Sequence, residues 1–156
     1  YEEAGRVLKQ YCPSYMVESI KLFSLVLFSY IAANGDLHLK NFSLLESDFG
    51  DFQLSPAYDL MCTTLHLPNE KRTALEMFDE YESSFFSKNG FYGAEDFRYL
   101  GSLYGMSAPL TEKIIGEFAA KGDEIEKLVE RSFLPTDAKY QYMMLVHDRI
   151  KALKMV

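Results

Sequence analysis

The chain has 156 residues, 48% of them hydrophobic, with 12 Phe and 11 Tyr but no Trp, enough apolar surface for one proper core. Its net charge of −7 and the lack of a basic stretch argue against direct nucleic-acid binding, which needs clustered Lys or Arg. Cys12 and Cys62 fit no metal or redox spacing, and with no signal peptide they suggest reduced thiols in a cytoplasmic protein.

In chain order, Tyr1-Glu-Glu-Ala4 reads like the middle of a helix, with no initiator Met before it. Pro13 and Ser14 suit a helix start, and residues from about Val17 to Ala33 are strongly apolar. Leu22, Phe23, Leu25, Val26, Leu27, Phe28 and Ile31 cover more than one face, so this helix is expected to be buried nearly all round. Glu18, Lys21, Ser24 and Ser29 interrupt it too often for a membrane span. Asn34-Gly35 is a stop signal, which places Asp36 on a loop anchored by a rigid element.

The run Asn34-Gly-Asp-Leu-His-Leu-Lys-Asn-Phe-Ser43 and the later Ser55-Pro-Ala-Tyr-Asp-Leu60 carry the chemistry. Asp36, then Asn41 five residues on, then Asp59 is the order that kinase-type phosphoryl transfer needs. One carboxylate orients a hydroxyl, while an amide and a second carboxylate hold magnesium on phosphates. Phe42–Glu46 and Phe52–Ser55 flank the turn-rich Ser47–Asp51 and predict a β-hairpin. A loop centred between Phe49 and Gly50 gives partner numbers totalling about 99. Asn41 then faces Tyr58, and Asp59 lies beside Asn41, forming a hard-cation site. Taken singly, Asp59 could instead cap a following helix, and Asp48 and Asp51 are ordinary turn formers. The pair Asp36 and His38 lacks a third ligand of suitable spacing, so zinc ranks well below magnesium.

These two motifs resemble the signature of the C-terminal domain of HipA-type kinases, bacterial serine/threonine protein kinases that act as toxins of toxin–antitoxin systems. The resemblance implies a mainly α fold, the helical C-lobe of a protein-kinase-like fold with a short β-hairpin at the site. It implies Asp36 as the catalytic base and Asn41 and Asp59 as magnesium ligands. His38 and Lys40 would lie near the ATP phosphates, and Tyr58 would flank the nucleotide. It further implies transfer of the ATP γ-phosphoryl group to a protein, with aminoacyl-tRNA synthetases among the family's targets, and an antitoxin partner. The chain contains no Gly-x-Gly-x-x-Gly or Walker-type sequence. It is therefore expected to be a single-domain catalytic lobe, residues 1–156, without an N-terminal nucleotide-binding lobe and inactive or nearly so alone. Aminoglycoside and choline kinases share a Gly-Asp-x-His-x-x-Asn pattern and give the alternative reading of a small-molecule phosphotransferase. A scaffold lobe without catalysis is a third reading.

Past the motifs, Asp59 to about Leu67 is expected to form a short helix or turn ended by Pro68-Asn69. Thr73–Phe78 suggests a strand and Glu80–Gly93 a loop, whose aromatics are assigned to packing ahead of docking. Helices are expected at Ala94 to about Tyr104, Ser107 to about Ser132 and Thr136 to Leu153, with Gly116 and Gly122 weakening the second. Tyr140, Met143, His147 and Ile150 form one stripe of the last helix, which makes His147 partly buried. Asp123–Glu126 is a solvated face.

Overall fold

The computed structural model describes residues 1–67 and 69–155. It is mainly helical: α1 (Glu2–Tyr11), α2 (Tyr15–Ile31), β1 (Leu44–Glu46), β2 (Phe52–Leu54), α3 (Ser84–Asn89), α4 (Ala94–Leu103), α5 (Ala108–Ala119), α6 (Gly122–Glu130) and α7 (Thr136–Lys154). The two strands form an antiparallel hairpin. No helix is long and apolar enough to cross a membrane among the described residues.

The central element is α2, which packs against α1, β2, α4, α5 and α7. Its near-continuous apolar run leaves Leu22, Phe23, Val26, Leu27 and Tyr30 buried on several sides. Phe23 and Tyr30 meet Phe97 of α4 edge-on, at centroid distances of 6.2 and 5.3 Å. The Tyr30 hydroxyl reaches the Tyr92 carbonyl at 2.6 Å, so burial leaves it satisfied. Tyr104 lies against Gly5 of α1, where a side chain would overlap its ring. Its hydroxyl donates to the Tyr1 carbonyl at 2.8 Å.

Several local expectations are corrected. Leu44 pairs with Leu54, where the expected register puts Ser55 opposite. The loop is the reason: Ser47 N–H bonds Asp51 O, Gly50 N–H bonds Ser47 O, and Gly50 has φ 81°. Those bonds make a three-residue loop ending in a left-handed glycine, one residue shorter in register. Thr73–Phe78 is not a strand. Its backbone is satisfied by Tyr1 N–H and Glu2 N–H, which donate to Glu76 O and Met77 O, and by Tyr92, whose hydroxyl accepts from Met77 N–H. Within Glu80–Gly93 lies α3, capped by the Ser83 hydroxyl at its start and by left-handed Gly90 at its end.

The expected helix from Ser107 to Ser132 divides at Ala120–Lys121 into α5 and α6. Gly122 opens α6 against Ile150 of α7, whereas nothing packs on Gly116. On α7 the buried positions are Val146, Arg149, Ile150, Ala152 and Leu153, so His147 and Tyr140 face solvent. After Asp59 only a single turn forms, with His66 and Leu67 N–H bonded to Thr63 O. Pro68, its expected end, lies outside the described residues.

Candidate functional site

The site begins where α2 stops. Asn34 N–H bonds Ser29 O at 2.9 Å and Ala33 N–H bonds Tyr30 O at 3.3 Å, the paired closure of a Schellman cap. Its left-handed residue is Ala33, with φ 55°, so the glycine of the expected Asn34-Gly35 stop serves another purpose. A methyl at Gly35 would overlap the Glu70 carboxylate, which packs directly on its backbone. Glycine is here for space.

Asn34 is buried and joins the two motifs. Its Oδ1 accepts from Asp36 N–H at 3.0 Å and its Nδ2 donates to Asp59 O at 3.2 Å. A 3₁₀ turn at Leu39–Asn41 then brings Asn41 back over the loop. Asn41 Nδ2 donates to Asp36 O at 3.2 Å and to Asp59 Oδ2 at 3.1 Å. The Tyr1 hydroxyl supports the same loop from α1, donating to Leu37 O at 3.0 Å.

The expected neighbours Asn41 and Asp59 therefore meet, but strand pairing is not what joins them. The ladder ends at Leu54, with one further bond from Ser55 N–H to Ser43 O. Asp59 has φ 56°, a left-handed conformation that turns its carboxylate toward Asn41. Asp tolerates this region better than most residues, and such outliers concentrate at functional sites. Tyr58 closes the base of the hairpin: its hydroxyl contacts Lys40 O at 3.0 Å and Ser43 Oγ at 2.8 Å.

The Asp36 carboxylate is half-exposed. His38 Nε2 lies 3.1 Å from Oδ1 and Lys40 Nζ 3.7 Å from Oδ2. At this exposure the pairs contribute less than about 1 kcal/mol each to stability, so their value is in orienting charge. Asp36, His38, Lys40, Asn41 and Asp59 thus form one cluster, with Tyr58 at its edge.

Chemically, Asp36 offers an accessible acceptor for a hydroxyl proton. The Asn41 side chain bonds Asp36 and Asp59 through Nδ2 alone, and its Oδ1 together with the Asp59 carboxylate is an oxygen donor set of the kind a hard cation takes. Among the described residues no group of three or more His, Cys, Asp or Glu could hold a metal. A magnesium ion on Asn41 and Asp59 would complete its shell with phosphate and water oxygens, which suits the donor set. A groove of about 730 Å³ runs past Leu39 beside residues 71–76 and Phe91.

Sequence reasoning missed Asn34, Thr63, Glu70 and Glu18. Glu18 is buried on α2 and its Oε2 accepts from Leu54 N–H at 2.9 Å, anchoring the hairpin to the helix. A carboxylate inside an apolar helix was the available signal, because a buried charge needs a partner.

Comparison with known proteins places the chain in a family. The sequence model of the HipA-like C-terminal domain family matches residues 1–125. A Haemophilus influenzae protein named "Putative kinase" is 24% identical over 144 residues, covering 86% of this chain and 42% of its own length. A Sinorhizobium fredii protein named "Putative kinase Y4dM" is 32% identical over 117 residues, covering 73% of this chain and 26% of its own length. The chain thus spans less than half the length of these curated relatives. By the extent of the family match, the chain belongs to the HipA-like C-terminal domain family.

Proposed function

We propose that this chain is the C-terminal catalytic lobe of a serine/threonine protein kinase, transferring the ATP γ-phosphoryl group to a protein hydroxyl. The observation that carries the reading is the contact of Asn41 with Asp59, 3.1 Å apart, beside the Asp36 backbone that Asn41 also holds. Asp36 orients the acceptor hydroxyl and takes its proton. Asn41 and Asp59 hold magnesium, which when bound with ATP neutralises charge on the phosphates. Lys40 adds positive charge near the phosphate path, and it and the His38 imidazole keep the Asp36 carboxylate aligned. Kinase names among the longer relatives support an enzyme whose nucleotide-covering lobe lies elsewhere in the protein.

The test is to incubate the full-length protein with γ-labelled ATP, magnesium and a cell extract, beside its Asp59→Ala variant. Labelled protein bands that vanish in the variant support the proposal. ATP consumption without protein labelling assigns a small-molecule phosphotransferase. No consumption leaves a scaffold lobe.

A further inference from the structure

The loop carrying Asp36 is held from outside by Thr63, Thr64 and Glu70, which belong to neither motif. Thr63 Oγ1 accepts from Gly35 N–H at 2.8 Å and donates to Glu70 Oε2 at 2.5 Å. A carboxylate can only accept, so Glu70 takes the single hydroxyl proton and leaves the oxygen lone pair for Gly35. One residue on, Thr64 donates twice to Ala33 O, through N–H at 3.3 Å and Oγ1 at 2.9 Å. Ala33 is the strained residue of the α2 cap, and Gly35 is open enough for Glu70 to lie on its backbone. The clamp thus grips the residues on both sides of Asn34, immediately before Asp36.

From this we infer that Thr63 and Glu70 are positioning residues, which set the Asp36 loop for phosphoryl transfer through the Gly35 amide. The inference rests on the kinase reading above. Neither side chain is hydrogen-bonded to Asp36, Asn41 or Asp59, so the effect passes through backbone. A displacement of the order of 1 Å in a reacting group lowers turnover about 100-fold.

In the full-length protein, Thr63→Val and Glu70→Ala should lower kcat about 10- to 100-fold with little change in KM for magnesium–ATP. Thr63→Ser and Glu70→Gln, which restore a hydroxyl and an acceptor oxygen, should recover most of the rate. Gly35→Ala, which pushes Glu70 away without altering the relay groups, should resemble Thr63→Val. Amide hydrogen exchange supplies a readout independent of turnover. Residues 33–37 should exchange faster in Thr63→Val while α2 and α4 keep their protection. Wild-type kcat in Thr63→Val, equal loss in Thr63→Ser, or unchanged exchange at 33–37 would each overturn the inference. A wild-type protein that transfers no phosphoryl group refutes the kinase reading instead, and the exchange result then decides the clamp alone.

Discussion

Asn34 holds the backbone of Asp59 across 25 positions of sequence, its Nδ2 3.2 Å from the Asp59 carbonyl, while its own Oδ1 caps Asp36 N–H. One buried amide therefore sets the spacing of the two proposed functional carboxylates. Asn34→Leu keeps the volume and removes both bonds, leaving part-buried backbone groups unpaired. The expected cost is about 1–3 kcal/mol, with activity lost well before global unfolding. Chemical denaturation and turnover at the same temperature check this. Full activity at unchanged stability would refute it.

Asp36→Ala should abolish phosphoryl transfer while leaving the fold intact, because the side chain is half-exposed and its ion pairs add little stability. Circular dichroism beside a transfer assay separates the outcomes. Unfolding together with inactivity would make Asp36 structural.

Asp59→Ala should chiefly weaken magnesium–nucleotide binding. Asp59→Gly sharpens the test, because glycine accepts φ 56° freely and relieves strain of about 1 kcal/mol. That variant should be at least as stable as the wild type and still fail to bind magnesium–nucleotide. Calorimetric titration and a melting curve report the two properties separately. Tight binding in either variant would remove Asp59 from the cation site.

Arg149 predicts a gain. It is buried on α7 with Nε and Nη1 unpartnered among the described residues, its guanidinium 5.4 Å from the Tyr30 ring. Burial, then nearby Arg72, pushes its pKa down. Arg149→Met keeps the packed stem and removes the charge, and should stabilise the protein by about 1–3 kcal/mol. A lower melting temperature would show that the cation is needed.

Asp96 predicts a pH dependence. Its Oδ2 accepts from Gly93 N–H at 2.8 Å to cap α4, while Oδ1 is buried without a hydrogen-bond partner among the described residues. Burial raises its pKa above the usual 3.8, so the folded state favours the protonated form. Its contribution is then largest below that usual value and is lost as pH rises through the raised one. Asp96→Asn should gain on the wild type over that window. Urea denaturation at several pH values checks it, and parallel profiles would contradict it.

What the sequence disclosed, and what it hid, follows from the range of the interactions. The α2 helix was legible because its apolar run allows little else, and so was the hairpin, through its turn residues. The register slipped by one because the left-handed Gly50 shortens the loop, a choice that composition alone leaves open. Thr73–Phe78 is a short, mostly apolar run of the kind strands use, yet its partners are Tyr1, Glu2 and a Tyr92 hydroxyl. The cluster of Asp36, Asn41 and Asp59 was readable from spacing. Asn34, Thr63 and Glu70 were not, because their roles exist only once distant loops meet.

The family match ends at residue 125, while Val146, Ile150 and Leu153 of α7 complete the packing around α2. Residue 125 falls inside α6, so cutting the chain there would bare the flank of the helix from which the Asp36 loop hangs. The footing of the Asp36 loop thus leans on a helix that the family model does not reach.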